Sequence, residues 1–335
     1  MTHSLIQVGL GPWGTDWATT ILPQVPGANV VAWVDASAQS REAFRAATNA
    51  PADSVFADLG SAVAATGAEA VIAPVAIPAH EAVAREAIDL GLHLLLEKPF
   101  VFDVRTAQSL VLDAEARGLT FVIDQNYRHF PAAPVVRGLL ADGTLGTLRR
   151  VGVRWHRVHQ GVSLSNALVE LAIHHFDLMR YILGSDALAI TCVTRPRISQ
   201  VSDFAPEAHA IIEMSNGIVV DYTLTSQGID ATTPWPGQWC ISGDDGELQW
   251  GTAETSPNEP SHEFVRLRAA DGERQRVPID TGVPFERVGV LLDFLASIET
   301  GAAPRSSAAD NLGSVAMLEA ALLSASGAGR VVIAS

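Results

Sequence analysis

The chain has 335 residues, 48% of them hydrophobic and 18% charged, with a formal net charge of −15. That length suggests two domains with ample core, and the composition is that of a globular chain and not a disordered one. The acidic balance argues against nucleic acid or an anionic membrane surface as a partner, because both call for a basic footprint.

The two cysteines, Cys192 and Cys240, lack metal-ligand spacing. They are expected to be buried thiols in a reducing cytoplasm, and no metal is expected. The N-terminus runs into an apolar strand with no basic leader, and no window reaches the ~18 uncharged apolar residues of a membrane span. A cytoplasmic location is therefore expected. Of the 22 basic residues a single one is lysine, Lys98, within Glu97-Lys98-Pro99-Phe100. Arginine stays protonated at any working pH, while a lysine amine can be desolvated toward neutrality. In a chain otherwise given over to arginine, this points to proton transfer at Lys98 rather than surface charge, with chance placement of a single lysine as the alternative.

Residues 4–9 read as a short buried strand. Gly9-Leu10-Gly11-Pro12-Trp13-Gly14 follows at once, then an apolar helical stretch over 17–22. This is the dinucleotide-binding glycine pattern with a strand before it and a helix after it. The first glycine permits the tight turn, the second lets backbone approach a pyrophosphate, and the third lets helix pack close to strand. The helix N-terminus offers N–H groups to the phosphates. A second strand, 29–34, ends in Asp35, 21 positions after Gly14. An acid at that spacing binds a ribose diol and repels a 2′-phosphate, which favours NAD over NADP. Asp35 also fits as a helix cap for 37–47, and Arg41 is near enough to complicate the preference.

Further strands are expected at 55–57, 70–73, 92–96 and 120–123, with helices at 58–66, 79–90 and 104–117 between them. Such alternation predicts a parallel sheet covered on both faces, with ligands beyond the carboxyl ends of the strands. Glu97, Lys98 and Pro99 then fall on the same rim as the glycine loop. The expected division is a nucleotide-binding domain over 1–123 and a second α+β domain over 124–335. Asp124-Gln125-Asn126-Tyr127-Arg128, at the junction, reads equally as a cofactor- or substrate-facing segment and as a structural linker. Beyond it come a helix over 134–140 and alternating stretches at 150–157, 189–194, 208–214, 218–225, 238–242, 263–268 and 274–278. Turn signals such as Ser215-Asn216-Gly217 separate several of them, so an open, mainly antiparallel sheet is expected. Helices are expected over 166–183, 285–299 and 311–324.

The helix over 166–183 carries the second group of reactive side chains. Glu170, His174, Asp177 and Tyr181 form one polar stripe, beside an apolar stripe that includes His175. His174 is therefore the candidate for proton transfer, with Glu170 one turn away to fix its tautomer, and His175 is expected to pack in the core. An ordinary Glu–His pair on a solvent face fits the same spacing. His156, His159, Arg128 and Trp235 are loose candidates for lining a substrate pocket, and His80 for a cap or supporting role.

Taken together, these residues resemble the Gfo/Idh/MocA family, the group around glucose–fructose oxidoreductase and inositol dehydrogenase. The resemblance rests on Gly9-Leu10-Gly11-Pro12-Trp13-Gly14, Pro78-Ala79-His80, Gly91-Leu92-His93 leading to Glu97-Lys98-Pro99, Asn126-Tyr127-Arg128, and the stretch from Glu170 to Asp177. It implies a Rossmann domain followed by an α/β domain whose open sheet makes a homodimer or homotetramer. It also implies bound NAD or NADP, held around Gly9, Gly11, Pro12, Trp13, Gly14, Asp35, Glu97, Lys98 and Pro99. The substrate implied is a sugar, polyol or related hydroxyl compound. By the resemblance, Lys98, Glu170 and His174 act at the substrate hydroxyl. Departures are Glu170 where the family usually has aspartate, Ala172 where it has glycine, and Ser165-Asn166 in place of a Gly-Gly run. The expected activity is a dehydrogenase or reductase acting on CH–OH groups. A non-catalytic NAD(P)-binding sensor and a redox-neutral NAD-dependent glycosidase are the alternatives.

Overall fold

A computed structural model of the chain describes residues 2–157, 167–195, 207–226, 233–252, 262–270 and 272–333. The chain divides into two compact units, Met1–Asn126 with Phe285–Leu312, and Tyr127–Pro284 with Gly313–Ser335.

In the first unit, β1 (His3–Val8), β2 (Ala28–Val34), β3 (Val55–Phe56), β4 (Ala70–Ala73), β5 (His93–Leu96) and β6 (Phe121–Ile123) form one sheet in the order β3-β2-β1-β4-β5-β6. Every neighbouring pair is parallel. The unbroken apolar runs explain this: all four residues of β4 and all three of β6 are buried, as a sheet covered on both faces requires. The crossovers are α1 (Pro12–Asp16), α2 (Ala38–Thr48), α3 (Leu59–Thr66), α4 (His80–Asp89) and α5 (Val104–Ala116). Helix starts follow side-chain chemistry. Ser37, Asp58 and Asp103 each accept a hydrogen bond from the backbone N–H three residues on, at the caps of α2, α3 and α5. After α1 the chain continues in a wider, π-type turn over Trp17–Ile21. The expected helix over 17–22 is thus a short α-helix starting earlier, at Pro12, and then this turn.

Helix α8 (Glu286–Thr300) belongs to this first unit. Its Val290, Leu291, Phe294 and Leu295 pack with Leu5, Trp17, Ile72 and Leu95 in one core.

The second unit is built on a mixed sheet in the order β14-β13-β12-β11-β7-β10-β9-β8-β15. Its strands are β7 (Leu148–His156), β8 (Ala187–Arg195), β9 (Glu207–Met214), β10 (Val219–Thr225), β11 (Gln238–Gly243), β12 (Gly246–Thr252), β13 (Glu263–Ala269), β14 (Arg274–Val277) and β15 (Arg330–Val332). The β7–β10 pair is parallel and the others are antiparallel. Burial alternates along β8, β9 and β10, so one face is covered and the other open. Strands β12 and β15 lie outside the stretches expected from the sequence. Glycines at both ends of β12 lower its strand propensity, although Leu248 and Trp250 are fully buried on its inner face. The expected burial of both cysteines is corrected at Cys240, which is exposed on β11, while Cys192 is buried.

Helices α6 (Ala132–Ala141) and α7 (Ile173–Leu183) pack in this unit, and α9 (Ala308–Leu323) runs from the first unit's segment into the second's. A π-type turn, Leu168–Ala172, leads into α7. Asn166 lies outside the described residues. Every residue of α7 is buried, so its polar stripe is not the solvent-facing surface that its spacing also allowed.

Candidate active site

The glycine loop follows β1 at the carboxyl rim of the parallel sheet, beside the point where strand order reverses between β1 and β4. Gly9 has φ +100°, and a Cβ there would lie 2.8 Å from the Pro74 carbonyl oxygen. A Cβ on Gly14 would run into the Gly9 carbonyl oxygen, so helix and turn meet only with glycine at position 14. Above Gly11 the space is open, with nothing within 4 Å of where a Cβ would stand. That bare backbone at the start of α1 fits a dinucleotide pyrophosphate, and Pro12 occupies the helix position where an N–H is dispensable. Buried Gln7 braces the turn by donating from Nε2 to the carbonyls of Gly9 (3.0 Å) and Gly14 (2.8 Å).

Asp35, at the end of β2, accepts from Leu10 N at 2.9 Å through Oδ2 and from Ser37 N at 2.8 Å through Oδ1. It therefore fastens the glycine loop to the start of α2, while Ser37 is the cap itself. Arg41 donates from Nη1 to the carbonyls of Asp35 (2.7 Å) and Ala36 (3.0 Å).

Glu97 ties this loop to Lys98. Its Oε1 accepts from the indole nitrogens of Trp13 (2.5 Å) and Trp17 (3.0 Å), and its Oε2 accepts from the Lys98 backbone N–H at 3.2 Å. The Arg287 guanidinium, from α8, lies 4.3 Å from the Trp13 ring centroid and pairs with Asp16 at 2.6 Å. Asp124, at the end of β6, is buried nearby. Burial first, and then the charge of Glu97, push its carboxyl well above the usual carboxylate range. His80 joins the two neighbouring rim segments. Its Nδ1 is 2.8 Å from the Pro99 carbonyl oxygen and its Nε2 3.1 Å from that of Val75, a supporting role like the one expected. Lys98 is half-buried.

In the second unit the ring of Tyr127 lies on His174, with centroids 4.3 Å apart and planes 16° from parallel. The next residue, Arg128, is buried and grips Asp177 on α7 with Nε (2.5 Å) and Nη2 (2.6 Å). Ser314 of α9 donates to the same carboxylate at 2.8 Å and accepts from Arg180 Nη1 at 3.0 Å. Arg128 was expected at the substrate, and these donors face Asp177. Glu170 lies within the π-type turn, so its four-residue separation from His174 does not span a regular α-helical turn. His175 packs as expected, with both ring nitrogens engaged. The Tyr222 hydroxyl donates to Nδ1 (2.8 Å) and Nε2 donates to the Trp235 carbonyl (2.9 Å), while burial holds the ring neutral, down to about 4.

His156 ends β7 half-buried. Burial, then Arg154, lower its pKa, and its backbone N–H donates to Thr233 Oγ1 at 3.0 Å. The Arg157 guanidinium stacks 4.1 Å from the Trp235 ring centroid. His159 lies outside the described residues, among which no group of His, Cys, Asp and Glu has metal-holding geometry.

The glycine loop, Asp35, Glu97 and Lys98 are thus joined within the first unit, and Tyr127, Arg128, His174 and Asp177 within the second. Glu97's grip on both indoles and the approach of Arg287 had no signal in local sequence, since the partners are 80 or more positions apart or in a returning helix.

Comparison with known proteins agrees with this architecture. Residues 5–125 match the model described as an oxidoreductase family with an NAD-binding Rossmann fold, and residues 137–333 match that family's C-terminal alpha/beta domain. The chain is a member of the Gfo/Idh/MocA oxidoreductase family. Among its relatives, the D-apiose dehydrogenase of Paraburkholderia graminis is 25% identical across 90% of this chain and 82% of its own. The inositol 2-dehydrogenase of Leifsonia xyli subsp. xyli is 32% identical across 64% of each chain. An oxidoreductase from Agrobacterium radiobacter, crystallised with NAD+, L-tartaric acid and magnesium, shares the fold with a TM-score of 0.84, at 19% identity over 99% of both chains.

Proposed function

We propose that this family member is a dehydrogenase that exchanges hydride between a nicotinamide cofactor and a hydroxyl-bearing carbon of a sugar or polyol. The observation that carries the reading is Glu97, whose carboxylate holds the glycine-loop tryptophan and the Lys98 backbone together on one rim of the parallel sheet. The dehydrogenase relatives named for inositol and D-apiose support a polyhydroxylated substrate.

When bound, the nicotinamide would supply the hydride chemistry, and the protein supplies orientation and proton handling. Gly9, Gly11, Pro12, Trp13 and Gly14 would hold the pyrophosphate side, and Glu97, Lys98 and Pro99 the nicotinamide side. The carboxylate of Asp35 favours a ribose diol over a 2′-phosphate and so NAD over NADP. In the oxidative direction His174 accepts the hydroxyl proton, Glu170 supports it, and the Lys98 ammonium stabilises the developing alkoxide oxygen. Lys98 is the alternative proton acceptor. Arg128 steadies the segment beside His174 through Asp177, and His156 is a candidate contact to the substrate. The open face of the second sheet is the proposed surface for a homodimer or homotetramer, and the cytoplasm the proposed location. Among the described residues no helix is long and apolar enough to cross a membrane.

The test is a panel of inositols, aldoses including apiose, and polyols with NAD and then NADP, followed by the absorbance of reduced nicotinamide. Turnover that is lost in Lys98→Met while calorimetric NAD binding persists supports the reading. Binding of NAD without turnover on any panel member points to a sensor, and cleavage of chromogenic glycosides without net NADH points to a redox-neutral glycosidase.

A further inference from the structure

Tyr127 meets its aromatic neighbours in different ways. It packs edge-on to Phe130, at 83°, and tilted to His175, at 57°, but nearly flat on His174, at 16° and 4.3 Å. Both rings of the flat pair are buried. Near-parallel stacking is one of the arrangements aromatic pairs favour, and it lays the imidazole over the face of the phenol ring. The face of a phenol ring is electron-rich and attracts a cation within about 6 Å of its centroid. A neutral imidazole gains only packing there, whereas an imidazolium gains electrostatic attraction as well.

The placement is held from outside the pair. Arg128, next in the chain, is locked bidentately to Asp177, about one helical turn beyond His174 on α7, and Ser314 secures the same carboxylate. Tyr127 therefore has its backbone anchored to the very helix that carries His174.

We propose that Tyr127 is a positioning residue for His174, fixing the plane of the imidazole and favouring its protonated form through the π face. The proposal rests on the reading of His174 as proton acceptor. In that step the hydroxyl O–H bond breaks, the proton moves to the imidazole, and the oxygen keeps the electron pair. Among the described residues of this unit, the titratable groups flanking His174 on its own segment are Glu170, His175 and Asp177, the last paired with Arg128. His175 is held neutral by burial, Tyr222 of β10 lies against His175, and Arg157 feels the Tyr127 hydroxyl. The π face adds to these without adding a charge.

The experiment is a titration of His174 by NMR on full-length protein labelled at histidine, with the resonance assigned by its loss in His174→Gln. Tyr127→Phe keeps the face and should titrate within about 0.3 units of the parent, while Tyr127→Met should titrate lower by about 0.5 to 1 unit. Any measured kcat/KM profile should move its acidic limb to lower pH by the same amount, because a weaker base is deprotonated sooner. A series of fluorinated phenylalanines at position 127 drains the π face at nearly constant shape, and should lower the midpoint stepwise even if Tyr127→Met does not fold. A flat fluorine series, or a fall in Tyr127→Phe as large as in Tyr127→Met, overturns the proposal. The titration needs no substrate, so absence of turnover alongside a graded series would sink the dehydrogenase reading and leave the stack intact.

Discussion

At the scale of single residues, Lys98 and Asp35 make opposite demands on substitution. Lysine and arginine carry the same charge but differ in proton transfer and in shape. Lys98→Arg is expected to lose about 100-fold or more of turnover, the usual weight of a proton-handling group, while NAD binding measured by calorimetry stays within a few-fold of the parent. Near-parental turnover would remove Lys98 from the chemistry. Asp35 is engaged twice by backbone, at Leu10 and Ser37, besides any contact to a ribose. Asp35→Ser, the simplest change toward NADP, is therefore expected to weaken NAD binding without an equal gain for NADP, because it also unfastens the glycine loop. Dissociation constants for both cofactors would check this, and a clean exchange of preference would refute it. Lys98, His174 and the glycine loop stand out in the sequence as candidates because rarity, spacing and a strand–turn–helix context each leave a local mark. Trp17, Arg287 and Ser314 do not, because what matters about them is a partner far away in sequence.

At the scale of elements, β13 and α6 meet at a buried carboxyl. Glu263, almost wholly inaccessible, accepts from Trp250 Nε1 at 3.0 Å and from Ala132 N, the first residue of α6, at 3.2 Å. Burial pushes its carboxyl up to about 7, from an ordinary 4.5. The folded state thus keeps the proton to higher pH than the unfolded state does. Stability from this group is full below about 4.5 and declines as pH rises to about 7, by roughly 3 kcal/mol. His175 runs the other way. Its folded value near 4 against an ordinary 6.5 means that stability is full above about 6.5 and is lost as pH falls toward 4. Between pH 4.5 and 6.5 the two slopes largely cancel. In Glu263→Gln, urea unfolding should show stability gaining on the parent steadily from pH 4.5 to 7, and a constant difference across that range would contradict the assignment. The strands that met here were unequally legible. Alternation marked β13, while Gly246 and Gly251 hid β12, whose strand character comes from burying Leu248 and Trp250 against its neighbours.

At the scale of the whole molecule, the open face of the second sheet carries Val193 on β8, Ile211 on β9 and Val219 on β10, all exposed. Apolar side chains gathered on one sheet face fit association between copies of the chain. Ile211→Asp is expected to shift sedimentation velocity toward monomer at micromolar concentration, and a monomeric parent would dispose of the interface. The two-unit plan itself was foreseeable from the change of hydrophobic period after residue 124. The route of the chain was less so, because an apolar stripe on α8 says that it covers a sheet but not which one. That route bears on synthesis. The core around Leu5, Trp17 and Leu95 is completed by Val290, Leu291, Phe294 and Leu295. A ribosome that has released the first 126 residues has therefore delivered every strand of the parallel sheet but not its last apolar cover. The nascent nucleotide-binding half must wait, with part of its core wet, until translation has gone more than 150 residues further.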